Sequence, residues 1–198
     1  LYIKETDVLR NFNKLKKFKP KYYNKLNVNV KFKNRKIIFL EDYDKYKDLY
    51  SITDYFSQKC RVRCIFNIVE NKNVLDLFNK NKDKILKNIK QSKKPLNYYN
   101  INEEIFRNFK QCTNFNTTIV MSLLGIFKPK KWLDFSAGWG DRLIGAIAYG
   151  CEYTGVDPSE CMNPIYKNII QKLVPKKNLH KYKIIKNGFE NVKIQPNN

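Results

Sequence analysis

Lys131-Trp132-Leu133-Asp134-Phe135-Ser136-Ala137-Gly138-Trp139-Gly140-Asp141-Arg142-Leu143 is the most informative stretch of this chain. Its first five residues read as a β-strand and its small residues as a tight turn, and from Leu143 to Tyr149 the spacing is helical. Tyr153 to Asp157 reads as the next strand, Pro164 to Leu173 as the next helix, and Tyr182 to Ile185 as a third strand. Strands alternating with helices across short connections imply right-handed crossovers and a parallel sheet, so the expected class is α/β with helices on both faces.

Upstream the texture differs. Val8, Leu9, Phe12, Leu15 and Phe18 predict a helix over about 5–19, stopped by Pro20. Leu26, Val28, Val30 and Phe32 alternate with polar residues, Asn34-Arg35 interrupts, and Ile37 to Leu40 resumes, which reads as a β-hairpin. Ser51-Ile52-Thr53-Asp54 offers an N-cap to a short helix through Tyr55 and Phe56, and Arg61 to Phe66 reads as a strand. Leu75, Phe78, Ile85, Leu86 and Ile89 predict a Lys-faced helix over 75–90. Asn102 is placed to cap a helix whose first turn holds Glu103 and Glu104, and Thr117 to Phe127 predicts a packed apolar helix. The expected division is a basic α+β region over residues 1–100 and an α/β unit over 101–198.

The chain has 198 residues, 39 basic against 18 acidic, for a net charge of +21. That balance favours anionic partners, nucleic acid first and an acidic membrane surface second. Lys- and Asn-rich, Arg-poor composition is also what AT-rich coding produces, and only six of the basic residues are Arg. The distribution is less bland. Residues 1–131 carry 30 basic and 12 acidic residues, whereas 132–198 carry nine and six. Coding bias does not predict that asymmetry; phosphate binding upstream and small-molecule chemistry downstream would produce it. No apolar run is long enough to span a bilayer. Five cysteines, an odd number with no leader before them, predict reduced thiols in an intracellular compartment, cytoplasmic or nuclear. A lone histidine and a single close cysteine pair argue against a metal site.

The glycine turn sits where a strand ends and a helix begins, the place where open α/β sheets bind ligands. Leu143 stands where a dinucleotide fingerprint needs its third glycine, Asp141 in the first helical turn would repel a diphosphate, and Trp139 crowds the turn. Asp157, 17 residues beyond Gly140, can accept both hydroxyls of a ribose. A ligand with adenosine and no phosphate fits this set. S-adenosylmethionine is such a ligand, and carboxylates suit its cationic sulfonium. A glycine-rich turn with no ligand is the plain alternative.

Asp134 to Leu143 and Tyr153-Thr154-Gly155-Val156-Asp157-Pro158 resemble the cofactor motif of Rossmann-like S-adenosylmethionine-dependent methyltransferases, nearest to the DNA amino-methyltransferase-like proteins of phages and large DNA viruses. Cys112-Thr113-Asn114-Phe115 before an apolar helix is similar to the segment those enzymes place beside the methionine end, with Asn116 where an Arg is common. Asp54-Tyr55-Phe56 and Arg61-Val62-Arg63 are similar, more faintly, to the leader of such viral proteins. The resemblance implies that Asn114, Phe115, Asp134, Ser136, Ala137, Gly138 and Gly140 line the methionine part, that Asp157 holds the ribose, and that Pro158 packs on the adenine. Phe189 and Glu190 fall where the adenine edge is met, and Phe189 suits a core position equally well.

Amino-methyltransferases carry a [DNS]-P-P-[YF] motif after the fourth strand, whose aromatic stacks on the extruded base. No Pro-Pro pair occurs in these 198 residues. The expected fold therefore stops after the third strand, catalytic residues are expected beyond Asn198, and the chain reads as a fragment. The function implied is methyl transfer to a base amine of DNA, with a basic leader whose Tyr22, Tyr23, Tyr98 and Tyr99 stack bases or simply pack. RNA methylation, a non-catalytic nucleic-acid-binding subunit, and methylation of small molecules or proteins are the alternatives.

Overall fold

The computed structural model describes residues 3–20, 22–23, 37–38, 46–67, 72–109 and 112–193. Along the chain come α1 (Glu5–Lys16), β1 (Tyr22–Tyr23), β2 (Ile37–Ile38), α2 (Tyr50–Arg61), β3 (Ile65–Asn67), β4 (Lys72–Asn73), α3 (Val74–Gln91), α4 (Tyr98–Asn108), α5 (Thr117–Phe127), β5 (Lys131–Asp134), α6 (Asp141–Tyr149), β6 (Glu152–Val156), α7 (Asn163–Leu173) and β7 (Tyr182–Ile185). The last three strands form one parallel sheet in the order β5-β6-β7. Trp132 lies opposite Tyr153, and Tyr153 opposite Tyr182. The sheet is flanked by helices, as the strand–helix alternation requires.

One apolar core joins the two halves of the sequence. Val8, Phe12 and Leu15 of α1 and Ile52 and Phe56 of α2 are buried in the same cluster as Val120, Leu143, Ile144, Tyr166 and Ile169. Each such side chain contributes roughly 1.5–3 kcal/mol through removal from water, which holds α1 and α2 against the sheet-flanking helices. The packing of α3 is different: its Ile85 and Ile89 are buried, while Lys80, Lys82, Lys84, Lys87 and Lys90 are exposed.

Four sequence expectations change, and a fifth falls largely outside the described residues. The described part of the N-terminal hairpin pairs Tyr22 with Ile38 and Tyr23 with Ile37, and the strand expected over 26–32 lies outside the described residues. Ser51 does not cap α2, because its hydroxyl donates to the Asp48 carbonyl (2.5 Å) and accepts from Asn11 Nδ2 (3.1 Å). The helix instead starts at Tyr50, directly after a 3-10 turn at Lys47–Leu49. It also runs on to Arg61, so only Ile65–Asn67 remains of the strand expected from Arg61. The cap of α4 is Asn97, whose side chain accepts the Asn100 N–H, and Asn102 lies inside the helix. Glu103 and Glu104 are therefore mid-helix; Glu103 pairs with Lys94 (3.1 Å), and Glu104 accepts from Asn88 Nδ2 (2.7 Å). Several asparagines were available along this stretch, and packing of α4 on α3 selected the start.

Candidate functional site

The turn after β5 is built on two left-handed glycines, Gly138 (φ +62°) and Gly140 (φ +92°). A side chain at Gly140 would also press on Ile169, whose Cδ1 would lie 2.7 Å from the added Cβ. With these two residues the chain reverses tightly between β5 and α6.

The amides of this turn are satisfied from within the fold. Ser136 N–H donates to Asp134 Oδ1 (3.2 Å), Ala137 N–H to the Val156 carbonyl (3.0 Å), Gly138 N–H to Asp157 Oδ2 (2.8 Å), and Gly140 N–H to the Ala137 carbonyl (3.4 Å). Asp157 is buried, and its other oxygen accepts the Ser159 N–H (2.9 Å), so one carboxylate braces the glycine turn to the loop after β6. The Tyr166 hydroxyl donates to the Gly138 carbonyl. Burial, followed by the charges of Asp157 and Asp134, raises its pKa, which keeps it protonated and able to donate.

Asp134 is equally committed. Its Oδ2 accepts from the Tyr153 hydroxyl (2.6 Å) and from Arg142 Nε (2.7 Å). Burial and then the Asp134 charge raise the Tyr153 pKa well above its ordinary value. The Arg142 guanidinium lies over the Phe115 ring, 5.7 Å from its centroid.

Asn114 and Phe115 reach the site through a second network. Asn114 Nδ2 donates to Asp54 Oδ1 (2.7 Å), which also accepts from Arg61 Nη2 (2.7 Å). Arg61 Nη1 donates to the Cys112 carbonyl (3.1 Å), and Phe115 N–H donates to Asp141 Oδ2 (3.2 Å). Asn116, set where an Arg is common in the resembling family, caps α5 by accepting the Thr118 N–H (3.0 Å) and donates to the Tyr50 hydroxyl. The segment 112–116 is thus pinned between α2 and the start of α6.

Asp141 does not carry the role expected of it. Its carboxyl is buried against Phe115 and α2 instead of standing free to repel a diphosphate. Burial raises its pKa to about 7, and the Asp54 charge adds to the rise, against the opposing effects of the Thr53 hydroxyl and the Phe115 N–H. A folded-state pKa above the ordinary 3.8 means that the folded protein keeps a proton the unfolded chain releases. Stability is therefore present in full at low pH and is lost between about pH 4 and pH 7, by on the order of 4 kcal/mol. Asp141→Asn is expected to flatten that slope and to raise the unfolding midpoint at pH 8, as read by denaturant titrations across pH 4–8. An unchanged slope would contradict the assignment.

The remaining expected residues divide. Phe189 is no core residue: it is 41% exposed and tilted against Phe135, itself 68% exposed, with ring centroids 5.7 Å apart. This pair spans the carboxyl edge of the sheet. Glu190 is exposed, bends over Gly188 and accepts from Asn191 Nδ2 (3.3 Å). Pro158 and Ser136 are exposed at the rim. Of the four tyrosines read as stacking candidates, only the side chain of Tyr99 is described, and it is half-buried.

The reduced-thiol expectation is corrected. Cys60 and Cys161 are joined as a disulfide across 101 residues, linking the end of α2 to the loop that carries Asp157. Nothing in the spacing announces that contact, because it arises only when α2 packs beside α7. Cys64, Cys112 and Cys151 are free, and burial followed by the neighbouring Cys64 pushes the Cys112 thiol up to about 11. Closing a loop of this length stabilises by at most about 4–5 kcal/mol in chain-entropy terms. Dithiothreitol is expected to lower the melting midpoint of the wild type and to leave Cys60→Ser unaffected; equal sensitivity of both would refute a structural bond.

The sequence reading assigns no separate role to Tyr153, Tyr166 and Arg142 and no pairing to Asp54 and Arg61. Only the last left a usable sign, since residues seven apart on a helix share a face. Among the described residues no helix is long and apolar enough to cross a membrane. Set against known proteins, the chain matches no protein-family model, no curated protein and no solved structure.

Proposed function

We propose that this chain binds S-adenosylmethionine in the crevice at the glycine turn and serves methyl transfer to a base amine of DNA. One observation carries the reading: four amides of the turn are already taken by Asp134, Asp157 and backbone carbonyls. A phosphate-binding turn keeps such amides for its ligand. Here buried carboxylates occupy that place, and these suit a ligand that is cationic and lacks phosphate.

The residues present fit such a group. Asn114 Oδ1 is buried with no hydrogen-bond partner among the described residues, and each oxygen of Asp157 accepts one amide and has capacity for a second donor. When bound, S-adenosylmethionine supplies an electrophilic methyl group on a sulfonium. In this reading Asp157 accepts the ribose hydroxyls, the Phe135–Phe189 pair lies against the purine, and the segment 112–116 closes over the amino-acid end. Their contribution is alignment and exclusion of water from the transfer. The exposed lysines of α3 belong to the basic region that would hold substrate phosphates.

The test is a titration of the chain with S-adenosylhomocysteine, followed through the backbone amide resonances of Gly138, Gly140 and Ser159. Saturable shifts with that ligand, undisturbed by NAD or ADP, are expected. Displacement by NAD or ADP, or no shift at any of the three amides, would overturn the reading. For the substrate, DNA affinity should fall steeply between low and moderate salt, and a flat response would exclude a phosphate-driven partner.

A further inference from the structure

Arg142 holds a guanidinium that the fold orients but does not use up. Its Nε is committed to Asp134 (2.7 Å), and Asp134 is itself fixed by Tyr153 and by the Ser136 amide. The Phe115 ring packs beside the group, its centroid 5.7 Å from Cζ. Its Nη2 lies against the open side of the turn, where a Cβ on Gly138 would meet it at 3.5 Å. The side chain is only 24% exposed, yet neither Nη group has an acceptor among the described residues. Neither Nη is buried away from solvent, so the fork stands open to a ligand, and a planar fork of this kind matches a carboxylate in two parallel hydrogen bonds. A phosphate would meet the same fork, but the neighbouring turn amides that would complete its shell are occupied.

We propose that Arg142 is the receptor for the carboxylate at the amino-acid end of the ligand, with Asp134 positioning it through Nε and Phe115 packing beside it. This rests on the reading of the crevice as an S-adenosylmethionine site and names the group that discriminates the amino acid from the bare nucleoside. The choice of Arg over Lys follows: an ammonium would pair with Asp134 and have no second edge to offer.

The decisive comparison is S-adenosylhomocysteine against its decarboxylated analogue, which keeps the nucleoside, thioether and amine. The wild type is expected to favour the carboxylated ligand by about 10- to 100-fold, the range of a charge-assisted pair. Arg142→Gln should abolish that preference by weakening only the carboxylated ligand, and Arg142→Lys should retain a small part of it. The decarboxylated ligand reports in the same titration whether a variant still has its nucleoside site. A wild-type ratio near one, or a preference that survives in Arg142→Gln, would overturn the inference, and the wild-type ratio serves even if no variant folds. Failure of the wild type to bind either ligand would instead overturn the proposed function itself.

Discussion

Asp157→Ala is expected to abolish measurable S-adenosylhomocysteine binding and, in the same protein, to lower the unfolding free energy by about 3 kcal/mol. The two effects have separate origins. The carboxylate accepts the Gly138 N–H (2.8 Å) and the Ser159 N–H (2.9 Å), so it closes two loops onto each other before any ligand arrives. Charge-assisted bonds of this kind contribute roughly 1.5–3 kcal/mol each, and alanine leaves both amides without their acceptor. Binding suffers further because the ribose acceptor is gone and the turn is no longer braced. Asp157→Asn separates these contributions, since one carbonyl oxygen remains to accept from one amide. It should recover at most about half of the lost stability and little of the affinity, as read by thermal unfolding and calorimetry side by side. Unchanged affinity in Asp157→Ala would sink the ribose assignment.

Arg61→Met should cost about 3–5 kcal/mol, a large part of the stability of an ordinary domain. Both partners of the Asp54–Arg61 pair are 4% exposed, so methionine leaves a carboxylate in the interior without its counter-ion. The Cys112 carbonyl loses its donor as well. Segment 112–116 would then be released from α2, and ligand affinity should fall with stability although Arg61 touches no ligand. Asp54→Leu combined with Arg61→Met should return much of the loss, because removing both charges costs far less than stranding one. Urea titrations of the single and double variants check this; a single-variant cost below about 1 kcal/mol would show that the pair is solvated in solution.

Most of the second half of the fold was legible residue by residue. The strand at 131–134, the helices at 117–127 and 163–173 and the strand at 182–185 lie where periodicity and the punctuation of Gly and Pro put them. These elements are short, apolar on one side and joined by tight turns, so local preference and tertiary packing agree. The first half was less legible. Ser51 and Asn102 both had the chemistry of a cap, and both lost the position to a neighbour. A cap is worth about 1 kcal/mol, whereas burying Ile52, Phe56 and Ile89 is worth several times that, so packing set the helix starts.

The site divides in the same way. Order along the chain was enough to bring Asp134, Gly138, Gly140 and Asp157 to one end of adjacent parallel strands, because a strand–turn–helix–strand unit has only that geometry available. Which carboxylate oxygen meets which amide, that Asp141 turns inward to a pKa of about 7, and that Cys60 finds Cys161 depended on α2 settling against the start of α6 and α7. Such contacts join residues tens of positions apart, and no local preference encodes them. They are selected by the burial of α1 and α2 in the shared core.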